Sequence, residues 1–317
     1  EFLATKQRVV DIAPHVTGEP FEPLHVSEFH GRTRAFLKIQ DGCDRFCAYC
    51  IIPYARGRVR SKALEDIRQE VAQLGQAGYK EVVLTGINLP AYGKELGLHL
   101  CDAVEAACEA PGIQRVRLGS LEPEQLTPEV IARMASQDKL CPQFHLSLQS
   151  GCDATLRRMN RHYRLQEFID LIDGLREKIP GLALTTDLIV GFPGETEEEF
   201  VQTLAFIEKC GFAAMHIFPY SIRPGTKAAA MPQLTAAVKE ERAARAAQVA
   251  HRMHQAYLAG CVGKTYPVLF EQEKDGLYTG HAPNYMEVAV RGQALHNQVR
   301  EVTITACNGE TLLGELL

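Results

Sequence analysis

Cys43, Cys47 and Cys50 stand in the run DGCDRFCAYCIIPYARGR, spaced Cys-x3-Cys-x2-Cys, with Tyr49 just before the last cysteine. Three thiolates on one short loop suit three irons of a cubane [4Fe–4S] cluster. The fourth iron then has no protein ligand and is open to a substrate or cofactor. S-adenosylmethionine (SAM) fits such an iron: its amine and carboxylate chelate the metal, and an electron enters the sulfonium. A zinc knuckle with a distant fourth ligand is the plainer alternative. No His stands nearby at zinc-finger spacing, and no second Cys-x2-Cys pair occurs in the 317 residues. Ten cysteines, sparse and irregular, do not make a disulfide framework.

Further polar motifs each follow a short apolar run. Thr85-Gly86-Ile87-Asn88 closes EVVLTGIN. A glycine there lets the backbone approach a ligand, so Thr85, Gly86 and Asn88 are candidates to hold the SAM ammonium. A plain turn is the alternative. Ser120 and Glu122 stand in RLGSLEP, and Gln149 opens QSGC. Arg161, in MNR, offers a bidentate partner for the SAM carboxylate or for an RNA phosphate. In DLIVGFPGE the apolar residues, Val190 among them, suit the flanks of an adenine. Phe218, Tyr220, Arg223 and Gly225 follow the last such run. Of the other cysteines, Cys101 and Cys108 read as one buried helix face, and Cys152 reads as structural.

These motifs need a scaffold, and the pattern supplies one. Residues 1–30 are Pro- and polar-rich and read as a linker. From 31 to 255, strands such as AFLKIQ, EVVLTGIN and FHLSLQS alternate with amphipathic helices such as ALEDIRQEVAQLGQAG. Six strands with intervening helices imply an α/β fold with a parallel sheet. A partial (β/α)6 barrel fits better than a Rossmann fold, because no G-x-G-x-x-G follows the first strand. In such barrels chemistry gathers at the C-terminal strand ends, where the motifs lie. A long Ala-rich helix follows. The segment 256–317 then reads as five short strands of a small OB-like barrel.

A hydrophobic content of 46% supports a substantial core. No apolar run is long enough to cross a bilayer and no signal peptide opens the chain, so a cytoplasmic location is expected. Net charge is −5, but Arg32 to Lys62 carries eight basic residues against two acids. Local patches bind phosphate backbones. Arg56, Arg58, Arg60 and Arg223 are therefore candidate RNA contacts.

In order, the segments DGCDRFCAYCIIPYARGRVRS, TGINLPAYG, RLGSLEP, HLSLQSGCDATLRRMNR, TDLIVGFPGET and FPYSIRPGTKAA resemble the methylthiotransferases of the radical SAM superfamily. The C-terminal β segment is similar to that family's TRAM domain. The forms DGCDRFC, SLQSGCDATLRRMNR and FPYSIRPGTKAA look most like the tRNA branch that modifies threonylcarbamoyladenosine beside the anticodon. The resemblance implies that a cluster on Cys43, Cys47 and Cys50 cleaves SAM to a 5′-deoxyadenosyl radical, which takes hydrogen from C2 of the adenine. A methylated sulfur is then inserted from a second [4Fe–4S] cluster on an N-terminal domain. No cysteine precedes Cys43, so the chain is expected to be truncated and to cleave SAM without completing methylthiolation. Implied partners are tRNA and a flavodoxin- or ferredoxin-like reductant, with the chain a monomer. Alternatives are an isopentenyladenosine tRNA or ribosomal-protein substrate, or a non-catalytic RNA-binding module with a structural metal. The TRAM-like segment sits awkwardly with RNA: from Gly260 it carries four basic residues and seven acids.

Overall fold

The computed structural model describes residue 15, residues 18–23, residue 29 and residues 31–317. The linker expected over 1–30 lies almost wholly outside the described residues.

The α/β part is built on parallel strands in two four-stranded sheets. The first has the order β2-β1-β3-β4, with β1 (Arg34–Asp41), β2 (Arg60–Ser61), β3 (Glu81–Gly86) and β4 (Arg115–Leu118). Only β2 runs antiparallel. The second follows chain order: β5 (Ser120–Leu121), β6 (Gln143–Gln149), β7 (Ala183–Val190) and β8 (Ala214–Pro219). The run RVRLGS, read as one strand, is two: β4 and β5 part at Gly119, whose N–H donates to Leu84. Six parallel strand positions therefore curve into the expected partial barrel.

Eight helices lie among the described residues: α1 (Ile52–Arg56), α2 (Leu64–Gln76), α3 (Leu100–Glu109), α4 (Pro128–Ala135), α5 (Asp153–Arg158), α6 (Leu165–Lys178), α7 (Glu197–Cys210) and α8 (Ala236–Ala259). Their apolar stripes face the convex side of the sheets. In α2, Ile67, Val71 and Leu74 recur at helical spacing and are buried against Ala35, Leu37 and Ile39 of β1. Each such side chain contributes about 1.5–3 kcal/mol. Thr196 caps α7 in a capping box with Glu199, and Gly211 ends it with a left-handed residue. Cys101 and Cys108 are buried in α3, as their spacing implied.

The C-terminal strands β9 (Thr265–Lys274), β10 (Leu277–His281), β11 (Glu287–Arg291), β12 (Val299–Asn308) and β13 (Thr311–Leu316) close into a separate barrel, ordered β10-β11-β13-β12-β9. Its core includes Val268, Phe270, Val288, Val302, Ile304 and Leu312. The proposed division after residue 255 falls within the last turns of α8, which runs on to Ala259.

A buried charged seam joins the two parts. Glu81, fully buried at the start of β3, lies 2.7 Å from Arg115 Nη2, and its Oε1 accepts from Arg117 Nε at 2.8 Å. Arg115 Nη1 reaches across to donate to the carbonyls of Pro267 and His281, both at 3.0 Å. Arg117 Nη1 donates to the Pro283 carbonyl at 3.0 Å.

Candidate active site

The cysteine loop leaves β1 at Gly42. A Cβ on Gly42 would stand 1.8 Å from the Arg58 carbonyl oxygen, so only glycine fits. The Cys43 N–H donates to the Gly57 carbonyl at 3.0 Å, tying the loop to the segment after α1. Phe46 takes a left-handed φ of 49°, and its carbonyl accepts from Asn160 Nδ2 at 3.0 Å. The Ala48 N–H donates to the Met159 carbonyl. The loop is thus pinned on one side by 57–58 and on the other by 159–160. Cys43, Cys47 and Cys50 are half-buried and free. Burial pushes the Cys43 thiol up to about 11 and the Cys50 thiol upward too.

Two donors from other loops reach these sulfurs, Asn88 from the end of β3 and Arg161 from just beyond α5. Asn88 Nδ2 lies 3.8 Å from Cys43 Sγ, and Arg161 Nη1 lies 3.4 Å from Cys47 Sγ. Arg161 also pairs with Glu122 and donates to the Ser147 carbonyl at 3.1 Å. Burial works against its charge, yet the surrounding Tyr163, Tyr49 and Glu122 keep it firmly cationic. Asn88 Oδ1 and Arg161 Nε are buried without a partner. A cationic and an amide donor beside thiol sulfurs, with unsatisfied polar atoms alongside, fit a negatively charged iron–sulfur cluster and a polar ligand.

The remaining candidates are distributed as follows. The Thr85 hydroxyl donates to the Leu37 carbonyl at 3.3 Å. At Gly86 a Cβ would meet the Gln40 side chain at 2.9 Å, so the glycine admits that side chain rather than an open cavity. Ser120 is exposed on β5. Tyr49 packs edge-on to Phe192 at 6.5 Å. Tyr49, Gln149, Asp187, Ile189, Phe218 and Arg223 line a cavity of about 220 Å³ at the strand ends. Val190 is not among them: its side chain is fully buried in the core, and its carbonyl accepts from Tyr220 N–H. By strand alternation Ile189 takes the cavity-facing place expected of Val190. A concavity of about 670 Å³ between α4 and α6 is lined by residues such as Leu126, Ile131, Phe168 and Leu171 and by none of the cysteines.

The candidate RNA residues divide. Arg58 is exposed, pairs with Asp44 at 3.1 Å and covers the Phe46 ring at 5.5 Å. Arg56 is exposed, 3.4 Å from Asp41, and Arg223 is exposed at the cavity rim. Arg60 is only 12% exposed and is taken up by Glu19, Asp41 and the Arg56 carbonyl. Beside them Tyr54 is exposed and stacks edge-on with Phe46.

Several site residues escape a reading of the sequence. Gln40, buried at the end of β1, donates to the Asp41 and Gly42 carbonyls and accepts from Asn88 N–H at 2.7 Å, stapling two ligand loops. Asp187 on β7 stands between two imidazoles. His216 Nδ1 is 3.1 Å from Oδ1, and His145 Nε2 is 3.3 Å from Oδ2. Burial alone would raise the Asp187 carboxyl, but the bonds and charge of His145 and His216 hold it below the usual carboxylate range. Among the described residues this trio alone brings three metal-ligating atoms within 4.8 Å. Period-2 alternation in FHLSLQ, with Phe144, Leu146 and Leu148 in the core, is the signal that places His145 on the other, concave face.

The profile of the Radical SAM superfamily matches residues 37–207. Relatives include the threonylcarbamoyladenosine tRNA methylthiotransferases MtaB of Bacillus subtilis, 38% identical over 92% of this chain and 66% of that protein, and of Thermotoga maritima, 39% identical over 94% and 68%. The tRNA-2-methylthio-N(6)-dimethylallyladenosine synthase of Symbiobacterium thermophilum is 38% identical over 98% of this chain and 69% of that protein. The chain thus spans about two thirds of the length of these relatives. In fold it resembles coproporphyrinogen III oxidase HemN of Escherichia coli (TM-score 0.52, 14% identity, 82% of this chain and 68% of that one). The methyltransferase TsrM of Kitasatospora setae aligns similarly, with a TM-score of 0.52 at 15% identity over 77% of this chain and 42% of that one.

Proposed function

Because this chain belongs to the radical SAM superfamily and to the methylthiotransferases within it, we propose that it acts on tRNA, at threonylcarbamoyladenosine. The observation that carries this reading is the convergence of Asn88 and Arg161, from two separate loops, on two of the three cysteine sulfurs. Cys43, Cys47 and Cys50 would hold the [4Fe–4S] cluster, and its open iron would take SAM. Bound together, cluster and SAM supply one-electron cleavage of a sulfonium carbon–sulfur bond.

The chain's own residues set the conditions for that chemistry. Asn88 and Arg161 stabilise negative charge on the sulfurs. Glu122 fixes the guanidinium of Arg161, leaving its buried Nε as a donor for a carboxylate. Tyr49, Gln149, Ile189 and Phe218 wall the cavity where a nucleoside would lie and keep water from its reacting face. Arg56, Arg58 and Arg223 would meet RNA phosphates, and Tyr54 offers a surface for base stacking. These loops, rather than the acid-rich terminal barrel, would carry most of the phosphate binding. A flavodoxin- or ferredoxin-like protein would supply the electron. Beyond the loop, six of the remaining seven cysteines are buried and Cys307 is exposed. No second ligand set exists among them, so this stretch would perform the SAM half of the reaction.

Anaerobic loading with iron and sulfide, then SAM and dithionite, tests the reading by counting 5′-deoxyadenosine. About four irons per chain, and deoxyadenosine that vanishes in Cys47→Ala, are expected. Zinc in place of iron, or no deoxyadenosine from an iron-loaded chain, would defeat it.

A further inference from the structure

The relatives act on two different adenosines at nearly equal identity, so overall similarity does not choose between them. One carries a dimethylallyl group, a hydrocarbon. The other carries a threonylcarbamoyl group, which ends in a carboxylate. The concave face of β6, β7 and β8 bears on this choice.

His145, Asp187 and His216 come from these three neighbouring strands and meet on that face. Asp187 is ionised and can only accept, so Nδ1 of His216 donates to it. The second nitrogen, Nε2, is left unengaged on a side chain that is 70% exposed. His145 stacks on His216 at 5.8 Å, and its Nδ1 is 3.1 Å from the Thr185 hydroxyl, which accepts from Gln143. That fixes the pair from behind. Phe218, two residues along β8, is 51% exposed and 6.4 Å from the His216 ring. Phe218 and Asp187 both line the cavity with Tyr49 and Gln149, and Arg223 stands at its rim. Each Asp187 oxygen faces an imidazole nitrogen, His216 Nδ1 in a hydrogen bond at 3.1 Å and His145 Nε2 in a looser contact at 3.3 Å.

We propose that His216, backed by Asp187 and His145, is the specificity-determining residue for the substituent on the substrate base, and that it selects an anionic carboxylate over a hydrocarbon. Phe218 gives the base a flat surface. A carboxylate at Nε2 makes a charge-assisted hydrogen bond when the ring carries both its protons, with Asp187 holding Nδ1 from the other side. A dimethylallyl group there would cover the same polar atoms and give nothing back. This inference rests on the tRNA reading above and adds to it the residue that chooses.

The test is binding of three anticodon stem-loop RNAs to the iron-loaded chain, alike except for threonylcarbamoyladenosine, dimethylallyladenosine or plain adenosine at one position. The natural sequence is expected to favour the threonylcarbamoyl RNA over the dimethylallyl RNA by about tenfold to a hundredfold. His216→Phe should bring that ratio near one, and Asp187→Asn should lower it. His216 is exposed, so the fold is expected to survive, which melting curves verify. If the natural sequence discriminates and His216→Phe discriminates as well, this inference is overturned while the tRNA reading stands. If the natural sequence shows no preference, or binds none of the RNAs, the tRNA reading fails and takes the inference with it.

Discussion

Replacing Glu81 with Gln changes no volume but removes the one carboxylate between two buried arginines. Arg115 and Arg117 are 6% and 4% exposed at the side chain, so neither charge gains water when its partner is removed. Breaking a buried pair from one side costs about 3–5 kcal/mol. Both arginines also donate into the terminal barrel, so the loss concentrates on the joint between the two parts. A chain of this build need not unfold in one step, and a single unfolding free energy would blur the effect. Native-state proteolysis near Gly260–Lys264 reads the joint directly, because cleavage follows the open population. The expected change is an increase of about a hundredfold or more in cleavage rate at neutral pH. The acid limb gives a second reading. Burial alone would raise the Glu81 carboxyl, but Arg117 and Arg115 hold it below the usual range. A depressed folded-state value means stability that is full above the unfolded value of about 4.3 and is lost as pH falls through the folded value. The gap between Glu81→Gln and the natural chain should therefore close at low pH. A cleavage rate within about threefold of the natural chain at neutral pH would refute the claim that this seam holds the barrels together.

Arg58→Ala and Arg60→Ala should separate binding from folding. Arg58→Ala is expected to weaken RNA binding and to flatten its salt slope by about 0.7–0.9 for each phosphate that is no longer neutralised, with the melting temperature unchanged. Arg60→Ala should lower the melting temperature, because it removes the largely buried guanidinium that ties Glu19, Asp41 and the Arg56 carbonyl together; an unchanged melt would show that the ion pairs of Arg60 carry no stability. Gly42→Ala cannot fit its Cβ against the Arg58 carbonyl, so the cysteine loop must shift. Iron uptake should fall well below that of the natural chain, and full uptake would refute the close approach.

The order of the main strands and helices was legible because those elements are long and periodic, and because helix stop signals such as Gly211 are local; the short β2, β5, α1 and α5 carry too few residues to show a period. The cysteine loop was legible because its three ligands lie within eight residues. What escaped depends on neighbours that only topology supplies. His145, Asp187 and His216 are about thirty to forty residues apart and meet only because β6, β7 and β8 are adjacent. Charge was visible at Arg60, but the acids that occupy it were not assignable. Val190 and Ile189 are equally apolar; which faces the cavity depends on the phase of the strand. The left-handed backbone at Phe46 and Gln149 left no residue-type signal, whereas Asn160 is of a type that favours it.

The close approach at Gly42 has a thermodynamic consequence. With the Cys43 bond to Gly57, it makes the cysteine loop and the arginine-bearing segment one piece of backbone. The ordering cost met by either one is not met again by the other. By linkage the effect runs both ways. An iron–sulfur load that fixes 43–50 should make 56–60 a readier binder, and a polyanion resting on 56–60 should tighten the hold on iron by the same factor in equilibrium constant.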